Sequence, residues 1–393
     1  MKFTLTRTVA LWTLKQALQT CNTKAKNSAD SDFLFQEKNG QLYVSSISTT
    51  AEQTIALPCD DLEADEKEGF TVSGQAIVEL INSFKEEEIE FIYNSGTAEF
   101  LIQSLDKKSK FLLPTGDIDS FIPYSFTKPS NSFNISGKTL SAALKHTAFC
   151  VSVINSDTPY TAVKLKLDGK SLSAESTDKH FRLSSYQIEI DDINHPPVEF
   201  LLPRETAIIL SKLLENVDDV LVRSTNKHVR LEWDDVVFTT SLENSINKPF
   251  NSFSAILSKK EVASAKISKG DLLSAVKMIS MLAKDSSVVL NLSDKGLKIS
   301  ALEKDRGAAQ LSVTTQEQDG KAEIRVVCKY LHQGLESITE PWVILSFIEI
   351  STDTMGLVLK QDNYEHLLFR VLKNDDEDEE DNVEETDDEE NED

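Results

Sequence analysis

The chain has 393 residues, 40% hydrophobic and 27% charged, with a formal charge of -24. That balance suits a folded chain of two to four domains, and no run approaches the roughly 18–20 consecutive apolar residues of a membrane helix. Four scattered cysteines (Cys21, Cys59, Cys150, Cys328) form no CxxC pair, which argues against a zinc site and fits a reducing cytoplasm.

The charge is uneven. The last 20 residues, "NDDEDEEDNVEETDDEENED", hold 15 acids and no base, leaving -9 for the rest. Such a tail has almost nothing apolar to bury and repels itself. The start, "MKFTLTRTVALW", has no apolar h-region, so no export signal is expected.

In chain order, the predicted elements repeat. "FTLTRTVALWTLKQAL" from Phe3, "FNISGKTLSAALKHTA" from Phe133 and "AKISKGDLLSAVKMIS" from Ala265 each place an apolar residue before a Ser or Thr suited to cap a helix. Those caps are Thr6, Ser136 and Ser268; nine positions beyond each stands Lys15, Lys145 or Lys277. Leu140, Leu144, Ala148 and Val151 recur at helical spacing, giving one apolar and one polar face. A second series, "VSGQAIVELINSF", "LPRETAIILSKLL" and "VCKYLHQGLESI", keeps the same period. Each helix of that series is followed by a strand-like run: "EIEFIY", "DVLVRS" and "WVILSF". "HVRLEW", "AVKLKLDGKSLSAES" and "VVLNLSDKGLKISAL" add further strands, with hairpin turns at "DGKS" and "SDKG". The expectation is an α+β chain of three repeats, 1–126, 127–258 and 259–373, each with two helices and antiparallel sheets, followed by a disordered acidic tail at 374–393.

No catalytic pattern emerges. "ESTDKHFRLSS" puts Asp178 two residues before His180, a weak motif by itself. There is no GxSxG, HExxH or P-loop, and the six histidines are isolated, so no catalytic, metal or cofactor site is expected.

Over nearly all of residues 1–373 the chain resembles the bacterial sliding clamps, the beta subunits of DNA polymerase III. The resemblance rests on the order of "MKFTLTR", "LPTGDIDSFIP", "TDKHFRL", "FLLPRETAIILSKLL", "FNSFSAIL", "SKGDLLSAVKMISMLAKD", "VCKYLHQGLESI" and "HLLFRVLK". It implies three clamp domains per chain and a head-to-tail homodimer forming a six-domain ring, with helices lining the hole. It implies a cytoplasmic, non-enzymatic processivity factor for DNA replication. The partners implied are double-stranded DNA, a replicative DNA polymerase, a clamp loader and other proteins bearing clamp-binding motifs. No membrane is involved.

A polar helix face with a recurring lysine suits a DNA-facing wall, because phosphate contacts are sequence-independent. The candidate set is Arg7, Lys15, Lys24, Lys26, Lys138, Lys145, Arg204, Lys212, Lys269, Lys277 and Lys329, to which the resemblance adds Tyr160. Any one of these is also readable as an ordinary solvated position, though the threefold recurrence of Lys15, Lys145 and Lys277 favours the DNA-facing reading for those three. The resemblance places a partner-peptide pocket at Thr161, Thr177, His180, Arg182, Leu183, Asn251, Ala255, Ile256, Met355, Leu357, Leu367, Leu368, Phe369 and Val371. It places the dimer interface at Phe111, Leu113, Leu282 and Ala283, residues that core packing would also explain.

Departures are visible. Lys179 stands where the family has glycine, Phe181 reads as an insertion, and Arg370 replaces a proline. The chain also continues 20 residues past Lys373, as a solubilising tail or as one that repels DNA or competes for basic partners such as a loader or polymerase. A clamp-like decoy that titrates partners without encircling DNA is the alternative function.

Overall fold

The computed structural model describes residues 1–22, 29–154, 159–191, 195–243, 250–251, 253–283, 286–303 and 307–372. These form two compact units: Met1–Lys179 with Ser184–Ser252, and Phe253 onward together with His180–Leu183.

The first unit carries helices α1 (Arg7–Leu18), α2 (Gly74–Ser83), α3 (Gly137–Thr147) and α4 (Arg204–Leu213); α1 packs on α2 and α3 on α4. The second carries the short α5 (Ser254–Leu257) and the packed pair α6 (Lys269–Ala283) and α7 (Cys328–Ser337). The three expected caps form. The hydroxyls of Thr6, Ser136 and Ser268 accept from the backbone N–H of Val9, Thr139 and Asp271, each at 3.3 Å. Each satisfies one of the donors that a helix start leaves unpaired. The buried stripes follow the helical period: Ala10, Leu14 and Ala17 on α1, Leu140, Ala143 and Leu144 on α3, Leu272, Val276 and Ile279 on α6.

Antiparallel sheets make up most of both units. In the first unit a five-stranded sheet runs Asp60–Glu63, Lys2–Thr6, Glu88–Asn94, Glu99–Ser104 and Lys110–Pro114. An eight-stranded sheet runs Asn131–Ser136, Asp219–Ser224, His228–Trp233, Val236–Ser241, Ala51–Leu57, Gln41–Ile47, Asp32–Lys38 and Gly69–Ser73. Its centre joins the first two repeats, with Phe238 opposite Gln53. That join explains why both repeats fall in one compact unit. Its core includes a run of buried rings, Phe3 on Phe91 at 4.9 Å and Phe70 on Phe100 at 4.6 Å.

The second unit has one sheet run of Tyr364–Phe369, Thr354–Gln361, Trp342–Ser351, Glu261–Ser268 and Thr315–Asp319. A separate sheet of Gly307–Val313, Gly296–Glu303, Ser287–Ser293 and Ala322–Val327 lies in the same unit. Both expected hairpins close, with Asp168 opposite Ser171 and Ser293 opposite Gly296.

Candidate functional site

The recurring lysines come first. Lys15 on α1, Lys145 on α3 and Lys277 on α6 are all exposed, on the face opposite each buried stripe. Two of them meet acids from the partner side of their helix pair: Lys145 lies 3.4 Å from Glu215, and Lys277 lies 3.8 Å from Glu336 on α7. Lys138 similarly meets Asp218 at 2.5 Å. These are exposed pairs, worth about 0–1 kcal/mol, so an incoming anion can exchange with the carboxylate at little cost. Lys15, Lys212 and Lys329 are exposed and make no ion pair among the described residues.

Arg7 and Lys269 have a different role. Each is the first residue after its cap, and each closes the far end of the neighbouring helix. Arg7 donates to the carbonyls of Ile81 (3.3 Å) and Asn82 (3.0 Å) at the end of α2; Lys269 Nζ donates to the Ile338 carbonyl at the end of α7. A cation there satisfies orphan carbonyls and meets the negative end of the helix dipole. In the middle repeat the equivalent residue is Gly137, whose N–H donates to the Asp218 carbonyl at 3.1 Å. Arg204 is half-buried, its backbone N–H bonded to the Thr161 carbonyl at 3.3 Å. Tyr160 is half-buried with its ring 5.3 Å from Phe250. Lys24 and Lys26 lie outside the described residues, as does the acidic tail.

An apolar cluster in the second unit gathers some of the expected pocket residues. Leu183, Leu257, Ile348, Val358 and Leu367 form its buried centre, with Phe253, Ile256, Ile350 and Phe369 packed around it and partly open. Leu183, Ile256, Leu367 and Phe369 were expected there; the other five were not. Of those five, Leu257 and Val358 sit in short continuous apolar runs, where composition does not say which residue faces which way. Gly356 is required by this cluster, since a Cβ there would stand 2.5 Å from Leu367 Cδ1 and 2.9 Å from Ile350 Cδ1.

The other expected pocket residues are not members of that apolar cluster. Leu357 and Leu368 face each other in register on the opposite side of their strands and are buried there. Arg182 is buried, donates to Gln333 and holds its guanidinium 4.2 Å over the Tyr330 ring, contacts that brace α7. Asn251, Ala255 and His180 are exposed, and Met355 and Val371 half-buried. Thr161 is half-buried, and Thr177 is buried, its hydroxyl accepting from the Lys179 N–H at 2.9 Å.

Lys179 occupies a backbone position that suits glycine better. Its φ is +73°, in the left-handed region that glycine enters without strain. Asp178 and His180 therefore flank a turn, with Asp178 buried and His180 in solvent. The reading-frame neighbour Phe181 is 40% exposed, its ring 5.9 Å from Tyr330 and its carbonyl accepting from the Phe369 N–H at 2.9 Å. His366 lies next to the cluster on the same strand and is fully buried. Burial pushes its pKa down to about 3, and the charge of Arg182 pushes the same way.

Two apolar edges complete the picture. Lys110–Pro114 is the outer strand of its sheet; Phe111 is 37% exposed, Leu112 exposed and Leu113 half-buried. On α6, Leu282 is half-buried, but Ala283 is buried inside its own unit and is a core residue. The exposed side chains there are Met278 and Met281, the latter 82% exposed, with Leu302 exposed on the neighbouring sheet. Among the described residues no group of His, Cys, Asp and Glu could hold a metal, and no helix is long and apolar enough to cross a membrane.

Comparison with known proteins gives consistent results. Family models for the DNA polymerase III beta subunit match twice: the central domain at residues 134–246 and the C-terminal domain at residues 254–368. A beta sliding clamp of Rickettsia felis is 24% identical over 303 residues, covering 73% of this chain and 78% of that protein. One from Mycoplasma capricolum is 22% identical over 244 residues, 62% of this chain; the chain spans 64% of that relative's length. In fold, the crystal structure of the DNA polymerase III beta subunit of Thermotoga maritima superposes with a TM-score of 0.82 at 17% identity, covering 95% of this chain and all of that one.

Proposed function

Because the chain belongs to the DNA polymerase III beta sliding clamp family, as a divergent member, we propose that it is a processivity factor that encircles duplex DNA and tethers a polymerase. The observation that carries this reading is the threefold helix: same cap, same buried stripe, same exposed lysine. Such a face offers phosphates charge without base-edge contacts, which suits a protein that must move along any sequence. Lysines already held in weak pairs add little friction, because phosphate replaces a carboxylate that cost little to lose.

The ring is a head-to-tail homodimer of three-domain chains. Its support is the open strand edge at Lys110–Pro114 with Phe111 and Leu112 exposed, and the outer strand Gly307–Val313 beside exposed Met278 and Leu302. Bare apolar edges of this kind pair readily with another chain. Partners dock an extended peptide on the cluster around Leu183, Ile256, Leu367 and Phe369, whose aliphatic floor and aromatic flank fit one or two large apolar side chains. The loader and polymerase act through that site. The protein performs no chemistry and works in the cytoplasm.

The test is topological. Protein assembled on nicked circular duplex DNA stays bound through gel filtration and falls off once the circle is cut. Loss from intact circles would overturn the reading. The second reading, a decoy that binds partner peptides but not DNA, is favoured by the pairing of Lys138, Lys145 and Lys277 with acids. It predicts peptide binding with no retention on either form of DNA.

A further inference from the structure

We propose that the groove between α1 and α4 is a stacking site for an unpaired nucleobase, with Trp12 as its platform. This rests on the reading of these helices as facing DNA. Trp12 is 62% exposed, a large apolar ring left in solvent on a helix that is otherwise well packed. Trp12, Lys15, Gln16 and Gln19 follow at i, i+3, i+4 and i+7, so they share one face of α1. A groove of about 640 Å³ runs beside them, lined also by Lys212 and Asn216 and by the buried Trp233. All of these residues belong to the first compact unit.

The lysines nearest Trp12 are of the less committed kind. Lys138, Lys145 and Lys277 each meet a carboxylate, whereas Lys15 and Lys212 make no ion pair among the described residues. An aromatic face flanked by exposed cations is the combination that holds single-stranded nucleic acid. The ring stacks on any base, the cations take adjacent phosphates, and amides such as Gln16, Gln19 and Asn216 can bond a base edge. Asp234 and Asp235 line another side of the groove. Their charge repels phosphate, which keeps the backbone near Lys15 and Lys212 and leaves the carboxylates as acceptors for exocyclic amino groups.

In a duplex the bases are stacked inside and cannot reach Trp12. The site therefore engages only where a strand is unpaired, at a gap, an end or a primer–template junction. A clamp carrying it slides on duplex and pauses where single strand begins.

The experiment uses the full chain and an eight-nucleotide oligodeoxythymidylate at low salt, read by tryptophan fluorescence and by anisotropy of a labelled oligonucleotide. The oligonucleotide is expected to quench the wild-type emission. Trp12→Ala removes that quenching and weakens binding by on the order of tenfold, while Trp12→Phe keeps most of the affinity. Lys15→Ala with Lys212→Ala lowers the salt slope by about 1.4, at roughly 0.7 per lost phosphate contact. Equal binding by Trp12→Ala and wild type overturns the proposal. So does quenching by an apolar peptide with none by the oligonucleotide. Trp12-dependent oligonucleotide binding by a wild-type protein that is not retained on circles leaves this site standing and removes the clamp reading. Retention with no oligonucleotide response does the reverse.

Discussion

Lys179 is the residue where the departure from the family pattern has a physical cost. A side chain at φ +73° is strained, and glycine would relieve it. Lys179→Gly is expected to raise stability by about 1 kcal/mol, seen as a higher urea midpoint with unchanged slope; a lower midpoint would show that the lysine side chain is needed there. The buried histidines set a pH dependence. Burial lowers His366 to about 3 and His146 to about 4, Lys145 adding to the latter, while an unfolded histidine titrates near ~6.5. Below that value the unfolded chain binds protons that the folded one refuses. The stability these two residues contribute is complete above pH ~6.5 and declines as pH falls towards their folded values. Between pH ~6.5 and ~5 each site forfeits about 2 kcal/mol. In His366→Gln the difference in urea stability between pH 7 and pH 5 should shrink by about that amount; an unchanged difference would mean that His366 is protonated in the fold.

Within an element, adjacent residues divide by face. Phe369 borders the partly open cluster, while Leu357 is buried on the other side of the same sheet. Phe369→Ala should weaken a bound apolar peptide by about tenfold or more and leave the fold intact. Leu357→Ala should cost about 2–5 kcal/mol of stability and leave peptide affinity of the folded protein unchanged. Matched losses of affinity in both variants would refute the division. The same contrast shows what was legible beforehand. Helix starts were readable because a cap, an apolar period and a lysine all lie within one short segment, and the hydroxyls of Thr6, Ser136 and Ser268 bond as expected. Runs such as "HLLF" carry no alternation, so they located the cluster without saying that Leu367 faces it and Leu368 does not. The part played by Arg7 depends on carbonyls more than 70 positions away, and no local pattern records that. Val358 shares the face of Leu367 and Leu368 does not, because register, fixed by pairing, decides the face.

At the scale of the molecule, the prediction concerns assembly. Phe111→Ala with Leu282→Ala should shift a dimer towards monomer in sedimentation velocity, and an unchanged dimer would refute the assigned interface. Ala283 is left unchanged in that variant because it is buried in its own unit.

The pairing of Val236–Ser241 with Ala51–Leu57 has a consequence for dissection of the chain. Cutting between the first and second repeats does not release two finished bodies. It tears a continuous sheet down the middle and leaves each piece with a raw, sticky margin, so the two halves are obligate companions. Fragments made at that seam are apt to clump, and shuffling repeats between relatives will succeed only if both sides of the seam travel together.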